Sequence, residues 1–462
     1  MSARDVLIAM LPEHLLLLGM LLLIGVEIVS REARSVVALS LAAVLAATAA
    51  AFWLAASGYA GTPFAGQFSV APAGSAAKAI VLALAVPVLL MARDDFDSDH
   101  RFHVLLLSSL YGFCLLLSAD SFLTLFLGIE MMSLPVYVLV LLGFRRPESA
   151  EAALKYLVLS GAASATFLMG AALLYGASGS LALPAFAAAL SVPDPMATAA
   201  VVLIVVAFFL KAAVVPFHAW APDAYEGATL PVTAYMATVI KAGVLLAAVR
   251  LFSTAPLSAA MVGLVALLPL VSIVWGNLAA MRQGSFRRMI AYSSIAHAGY
   301  LFYALLGDGA GRFQAILFYV LAYGLMNVLA LACIPGGADD AGRDRLENLK
   351  GLFHREPFAA LMIGSAMLSL AGIPPFPGFV AKFLIFRNVM AAGYTTYAVL
   401  GLVGSYLGIY FYLRVIQYLF MSPQDATAGQ GPPSRAALGA GILCLIPVLV
   451  IVVFPGWVID RL

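Results

Sequence analysis

The amino-acid sequence predicts an all-α polytopic membrane protein with about fourteen transmembrane helices. Of its 462 residues, 63% are hydrophobic and only 10% are charged, whereas a soluble domain carries about 25% charged residues. The apolar residues also fall into runs of about twenty, which is the length that crosses a bilayer. The net charge of +2 is too small to indicate a nucleic-acid partner.

The apolar runs follow one another along the chain and are joined by short connections. We interpret the first run as a span rather than a signal peptide, because no small-residue cleavage pattern followed by a mature domain comes after it. The fourteen predicted spans lie near 11–29, 35–57, 76–92, 102–118, 121–143, 151–176, 198–215, 229–250, 257–281, 289–306, 312–334, 357–391, 398–421 and 436–457.

Proline interrupts two of these spans. Span 7 is predicted to break at Pro216 and span 12 at Ile373–Gly378, because proline removes a backbone donor and clashes with the preceding turn. Backbone groups freed at membrane depth must be buried in protein or line water, which predicts a hydrated cavity beside each break. The five-span offset predicts two inverted five-helix repeats. The predicted regions are 1–100 with spans 1–3, 101–252 with spans 4–8, 253–421 with spans 9–13, and 422–462 with span 14.

The basic residues of the connecting loops predict the orientation of the chain. With the N-terminus outside, fourteen basic residues fall on the inner side, namely Arg31, Arg34, Arg93, Arg101, Arg145, Arg146, Arg282, Arg287, Arg288, Arg343, Arg345, Lys350, Arg355 and Arg435. Only five fall on the outer side, namely Arg4, Arg250, Arg312, Arg387 and Arg461. Because inner loops carry the excess of basic residues, both termini are expected to face the periplasm or its equivalent.

Buried ionisable residues indicate an ion or proton pathway. A charge at the bilayer centre costs roughly 2.5–3.5 kcal/mol, yet Lys211 and Lys241 lie within apolar spans. At 1.5 Å per residue, Glu130 is about 14 Å into span 5 and Lys211 about 20 Å into span 7, in the middle of a core of about 30 Å. The two are either a static ion pair between helices or a switchable pair in which Glu130 tunes the proton affinity of Lys211.

Five further residues each have a functional and a structural interpretation. Lys241 is near mid-depth in span 8, where both surfaces are too distant for easy snorkelling. Lys382 follows the break in span 12 and either joins the pathway or reaches an interface. His218 and His297 are either proton relays, since imidazole titrates near neutrality, or hydrogen-bonded core residues. Lys155, about four residues into span 6, either joins the relay or snorkels to the surface.

The cysteine pattern argues against redox chemistry in this chain. Cys114, Cys333 and Cys444 are isolated in apolar runs. No CxxC motif or Cys/His cluster is present, so the sequence predicts neither a disulfide framework nor an iron–sulfur or other metal site.

Four segments carry a resemblance to a known family. They are PFHAWAPDAYEG at 216–227, PVTA at 231–234, RRMIAYSSIAHAGY at 287–300 and GIPPFPGFVAKF at 372–383. Together with Glu130, Lys155, Lys211 and Lys241, they resemble the antiporter-like subunits of respiratory complex I, and most narrowly subunit N of bacterial NADH:quinone oxidoreductase. Lys382 stands where subunit M usually has a glutamate, and WAPDAYEG differs from the WLPDAM pattern of subunit L.

The resemblance implies fourteen spans, two inverted repeats and one proton channel. It implies that Glu130, Lys211, Lys241 and Lys382 translocate protons, with His218, His297 and Lys155 as relays. This chain would hold no cofactor, because NADH, FMN, iron–sulfur clusters and quinone would be handled by other subunits. The implied partners are the antiporter-like subunit M and the small subunits K and J, within the lipid bilayer of the bacterial inner membrane.

Two alternatives to a complex I subunit remain at this point. One is a subunit of a multisubunit cation/proton antiporter, which has the same fold. The other is a membrane scaffold that transports nothing. Fold analogy alone does not decide whether the chain couples transport to a redox reaction.

Overall fold

The structure, a computed structural model, describes residues 3–29, 33–143, 147–191, 194–252, 257, 259–307, 309–336, 344–422 and 431–462. Within these ranges, thirteen helices are long and apolar enough to cross a membrane. The predicted span 12 consists of two shorter helices and makes the fourteenth. The predicted fold class is therefore confirmed. Four basic residues used for the predicted orientation, Arg31, Arg145, Arg146 and Arg343, lie outside the described residues.

The span helices begin and end within a few residues of the predicted positions, because the length of each apolar run sets the length of its helix. Spans 1–7 are Leu11–Val29, Ala33–Ala56, Pro72–Met91, His100–Ser118, Phe122–Gly143, Pro147–Ser178 and Pro195–Ala212. Span 8 joins Leu230–Tyr235, a π-helical turn at Met236–Ile240 and Lys241–Phe252. Spans 9–14 are Ala259–Ala280, Phe286–Tyr303, Gly309–Ala332, Pro357–Ala371 with Pro377–Ala391, Thr395–Leu419 and Arg435–Val453.

Short elements connect the spans. The helices are Ala3–Ala9, Arg93–Phe96, Pro184–Ser191, Trp220–Gly227, Leu352–Arg355 and Pro455–Ile459, and 3₁₀ turns lie at Ala304–Leu306 and Leu346–Leu349. Between spans 2 and 3, the strands Gly61–Phe64 and Phe68–Val70 pair antiparallel, with Gly61 opposite Val70. Gly66 has a φ of 70° in the turn of this hairpin, a conformation that glycine adopts without a steric penalty.

The chain forms two compact units. Unit 1 contains residues 1–86, 96–213 and 239–264. In this unit spans 4 and 5 pack against each other, as do spans 6 and 7. A Cβ at Gly112 would lie 2.3 Å from the backbone nitrogen of Met132. Spans 4 and 5 therefore touch backbone to backbone, as small residues permit between membrane helices.

Unit 2 contains residues 87–95, 214–238 and 265–462. Span 11 packs there against spans 12 and 14, and the first half of span 12 packs against span 13. Gly276 brings span 9 close to span 10, because a Cβ on it would lie 2.7 Å from the backbone nitrogen of Ala296. Spans 10 and 11 are almost wholly buried, so polar side chains on them are shielded from lipid.

The structure contains both predicted helix breaks. Ala213 follows span 7 in the left-handed region, with φ 60° and ψ 41°. The Val215 N–H then donates to Ser272 Oγ at 2.6 Å. In span 12, the Gly378 N–H donates to Ser369 Oγ at 3.0 Å. The Val215–Pro216 and Pro374–Pro375 peptide bonds are both cis. At each break a serine hydroxyl thus satisfies a freed backbone donor, as burial at membrane depth requires.

Candidate functional site

Unit 1 brings Lys211 and Glu130 together. Lys211 lies in the last turn of span 7, just before the break, and Glu130 lies in the middle of span 5. The Lys211 ammonium is 2.9 Å from Glu130 Oε1 and 2.8 Å from Ser160 Oγ of span 6. The Lys211 side chain is 6% exposed and that of Glu130 is 17% exposed. A buried charge of this kind is tolerated when it is paired and hydrogen-bonded.

Hydroxyl groups that the sequence did not single out surround this pair. Ser164 donates to Glu130 Oε1, and the Tyr137 hydroxyl donates to Ser160 Oγ. A cavity of about 10 Å³ borders Glu130, Ser164 and Lys211, which is room for about one water molecule. Glu130, Lys211 and the three hydroxyls therefore form one connected polar network among apolar side chains.

Lys241 lies in unit 1 at a change of helix geometry. It is buried and follows directly on the π-helical turn Met236–Ile240. Such turns are rare and occur frequently at functional sites. Two residues further on, a Cβ at Gly243 would lie 2.4 Å from Met132 Sδ. Span 8 therefore packs closely on span 5, which also carries Glu130.

Lys382 is held in unit 2 by neutral acceptors. Its ammonium donates to Leu370 O at 3.1 Å and to Ala371 O at 3.2 Å, the last carbonyls of the half-helix Pro357–Ala371. It also donates to Ser405 Oγ at 3.0 Å. The three contacts use the three donors of an ammonium, and the negative end of a helix dipole favours the cation. A cavity of about 330 Å³ borders Lys382.

His297 belongs to the same cluster as Lys382. The Tyr300 ring contacts the His297 ring edge to face, with centroids 5.5 Å apart. The Lys382 ammonium is 5.0 Å from the centre of the same Tyr300 ring. The hydroxyl of Tyr319 faces His297 Nδ1 and that of Tyr412 faces Nε2. The structure therefore brings together two of the predicted site residues, with tyrosines around them.

His218 and Lys155 occupy more open positions. His218 is half-buried, and its Nε2 accepts a hydrogen bond from Trp275 Nε1 at 3.0 Å. The Lys155 side chain is 43% exposed, and its ammonium lies 2.7 Å from Glu151 Oε1, one turn earlier on span 6. Lys155 is about 140° around this helix from Ser160, so it does not share the helix face that meets Lys211.

Comparison with known proteins identifies the family. A family model described as NADH:quinone oxidoreductase/Mrp antiporter, TM, matches residues 119–408, which is more than half of the chain. The chain belongs to this family. The resemblance drawn from the sequence motifs is thereby confirmed.

Individual relatives extend this result over almost the whole chain. NADH-quinone oxidoreductase subunit N of Pelobacter propionicus is 40% identical over 438 residues, covering 94% of this chain and 93% of the relative. A chain in the structure of respiratory complex I from Thermus thermophilus with bound aureothin superposes with a TM-score of 0.85. Its sequence identity is 34%, and the match covers 97% of this chain and 98% of that one. A chain of the Mrp complex from Dietzia sp. DQ12-45-1b shares the fold, with a TM-score of 0.84 at 21% identity.

Two acidic residues of the WAPDAYEG segment, which carried the resemblance to this family, form ion pairs in unit 2. Arg288 Nη1 lies 2.8 Å from both Asp223 Oδ1 and Glu226 Oε2. The adjacent Arg287 pairs with Asp344, 3.0 Å away. These pairs fix the short helix Trp220–Gly227 and the segment around Asp344 against the start of span 10.

A second buried ion pair in unit 1 was missed by the sequence analysis. The Lys78 ammonium of span 3 lies 2.5 Å from Glu13 Oε1 of span 1 and 2.6 Å from Ser118 Oγ of span 4. Both charged side chains are almost fully buried. Lys78 and Glu13 lie near the ends of their apolar runs, where charged side chains usually reach the interface. Their ion-pair partnership therefore left no clear signal in the sequence.

Among the described residues, no group of three or more His, Cys, Asp or Glu side chains is arranged to hold a metal ion. The thiols of Cys114, Cys333 and Cys444 are free and buried.

Proposed function

We propose that this chain translocates protons as an antiporter-like membrane-arm subunit of an NADH:quinone oxidoreductase. The observation that carries the proposal is the buried Glu130–Lys211 pair beside a helix break. The full-length relationship to NADH-quinone oxidoreductase subunit N supports the assignment to complex I.

The switch in this mechanism is the attraction between Glu130 and Lys211. While the carboxylate lies against the ammonium, it holds the proton on Lys211. When a neighbouring charge draws the carboxylate away, burial favours the neutral amine and the lysine releases its proton. One pKa unit corresponds to about 1.4 kcal/mol, so a modest change in the electrostatic field is sufficient.

Lys241 is the proposed central carrier, and Lys382 is the proposed terminal group. Lys382 has carbonyl and hydroxyl partners, so its charge responds to distant charges without first breaking an ion pair. His218, His297 and Lys155 are the proposed relays. The Tyr300 ring beside both His297 and Lys382 supports a path between these two residues.

Redox chemistry in this proposal belongs to other subunits. NADH, FMN, iron–sulfur clusters and quinone are bound elsewhere in the complex, and their reactions shift the charges that control this chain. The proposed neighbours are the antiporter-like subunit M and the small subunits K and J. The proposed location is the bacterial inner membrane, with both termini periplasmic and with spans 4–8 and 9–13 as inverted repeats.

Proton transport by the assembled complex in liposomes tests the proposal. Lys211→Met should lower both NADH:quinone turnover and the acidification reported by a pH-sensitive dye. Lys350→Met is the matched control, because it makes the same chemical change outside the spans. Normal pumping by an assembled Lys211→Met complex would contradict the proposal, and proton movement that needs a cation gradient and no NADH would favour the antiporter alternative.

A further inference from the structure

His297 is clamped between two tyrosine hydroxyls inside unit 2. The Tyr319 hydroxyl lies 2.7 Å from Nδ1, and the Tyr412 hydroxyl lies 3.1 Å from Nε2. The Tyr412 hydroxyl is also 2.5 Å from Ser293 Oγ. All four side chains are buried, and they come from spans 10, 11 and 13.

The hydrogens in this chain of groups must all point the same way. A neutral imidazole has one nitrogen that donates and one that accepts, and a hydroxyl has one hydrogen. If Nε2 donates to Tyr412, then Tyr412 donates to Ser293, and Tyr319 donates to Nδ1. In the other tautomer every one of these hydrogen bonds is reversed.

We propose that Ser293, Tyr412, His297 and Tyr319 form a proton relay, in which the two tyrosine hydroxyls are reacting groups. This inference rests on the proposed function. In the tautomer with the hydrogen on Nδ1, a water molecule gives a proton to Ser293 oxygen, Ser293 passes its hydrogen to Tyr412, and Tyr412 passes its hydrogen to Nε2. Nδ1 gives its hydrogen to Tyr319, and the former Tyr319 hydrogen passes to a second water molecule of the proposed path. Each group gains one proton and loses one, so the shift needs no ionised intermediate when it is concerted.

The position of the relay matches the proposed path toward Lys382. Span 13 carries both Ser405, which accepts from Lys382, and Tyr412. These two residues are seven positions apart, which is about two turns and the same face of a helix. One face of span 13 therefore contacts the Lys382 site and the His297 site.

A purely structural role predicts a different outcome from a relay. If the hydroxyls only orient the imidazole, their removal weakens packing but leaves proton transfer to water or to other groups. If they carry protons, their removal interrupts the chain even when the fold is intact. Positioned proton-transfer groups contribute about 10²–10⁴-fold to a rate, so a loss of at least about tenfold is expected here.

The test uses the assembled complex in proteoliposomes with Tyr412→Phe, Tyr319→Phe and the double variant. Each single variant should assemble normally but pump at least about tenfold more slowly, and the rate per complex should fall further as pH rises, because protons become scarcer. The double variant should be no worse than the worse single one, because the groups act in series. Tyr303→Phe is the control, because it also removes the hydroxyl of a buried tyrosine. Tyr303 lies on span 10, about 9 Å along the helix from His297.

His297→Gln separates the relay from the broader function. A glutamine amide can donate and accept hydrogen bonds but cannot exchange tautomers, so it should fill the site and block transfer. Impaired pumping in His297→Gln with normal pumping in both tyrosine variants would overturn the tyrosine relay while leaving His297 in the pathway. Normal pumping in all of these variants would overturn the relay together with the proposed role of His297.

Discussion

The ammonium of Lys211 lies 2.9 Å from Glu130 Oε1, although 81 residues separate the two in sequence. The same carboxylate oxygen also accepts from Ser164. Rotation of the Glu130 carboxylate would therefore break its contacts with the Lys211 ammonium and with the Ser164 hydroxyl in one movement. The lysine would keep Ser160 as a partner, so its position would be maintained while its electrostatic environment changed.

This geometry predicts strong coupling between substitutions at the two positions. Glu130→Gln and Lys211→Met should each impair proton translocation by at least about tenfold, equivalent to about 1.4 kcal/mol. The double variant should be no worse than the worse single one, because removing one partner leaves an uncompensated buried charge. Pumping per assembled complex is the measurement, and independent additive losses would show that the two residues do not act as a pair.

Exchanging the two charges tests whether each position has its own place in the proton path. The double exchange Glu130→Lys with Lys211→Glu restores an opposite-charge pair and should recover assembly better than pumping, because each position has its own place in the path. Complex content on native gels reports assembly. Equal recovery of assembly and pumping would indicate that the pair is only a structural link between spans 5 and 7.

Lys241 should be essential for transport but dispensable for assembly. The Met side chain has a similar length and no charge, so Lys241→Met should leave the packing after the π-helical turn intact. We expect normal complex content and a loss of at least about tenfold in coupled NADH:quinone turnover. Near-normal turnover and pumping by an assembled variant would remove Lys241 from the carrier role.

The spans could be predicted from sequence because a bilayer imposes a fixed apolar length. Span 1 was expected at 11–29 and is Leu11–Val29. The breaks at Pro216 and at Pro374–Pro375 were equally accessible, since proline disrupts a helix locally. In each of these cases, a short stretch of chain contains all the information needed.

The polar partners could not be predicted in this way. Ser160 and Ser164 are ordinary small residues of a membrane helix, and such residues commonly bond to carbonyls of their own helix. Their hydrogen bonds to Lys211 and Glu130 depend on how three spans pack. The carbonyl partners of Lys382 likewise depend on where the first half of span 12 ends, and the partnership of Lys78 with Glu13 depends on the packing of spans 1 and 3.

The Lys78–Glu13 pair predicts a stability effect in unit 1. Removing one member of a buried ion pair typically costs about 3–5 kcal/mol, whereas replacing both by apolar residues is often neutral or stabilising. Lys78→Met should therefore lower the thermal stability of the complex, and Glu13→Leu combined with Lys78→Met should restore most of it. Ser118→Ala is the control and should cost less, about 1.5–3 kcal/mol, because it removes one hydrogen bond to a charged group and leaves the ion pair in place. A double variant as unstable as Lys78→Met alone would contradict this account.

The orientation of the chain can be tested at its ends. Cysteines introduced at Arg4 and Arg461 should both react with a membrane-impermeant reagent added from the periplasmic side, because the predicted inner loops carry the excess of basic residues. Protection of either position from the periplasmic reagent would overturn the proposed orientation.

The ion pair of Asp344 with Arg287 predicts that the stability of the complex depends on pH through a group outside the spans. Burial alone raises the pKa of its carboxyl, but the ion pair and hydrogen bonds with Arg287 more than offset this, so the net pKa lies below the usual 3.8. Because the folded-state pKa is lowered, the pair contributes its full stabilisation above about pH 4 and loses it as pH falls through the folded-state value.

Asp344→Asn should therefore lower the thermal inactivation temperature of the complex by the same amount at pH 7 and pH 5. The difference from the unmodified complex should shrink below about pH 4, because the unfolded carboxyl then takes up a proton while the folded carboxyl, with its lower pKa, is still ionised. Glu347→Gln, a neutralisation in the same segment, is the control. A difference between Asp344→Asn and the unmodified complex that stays constant down to pH 3 would show that the charge of Asp344 does not stabilise this part of unit 2.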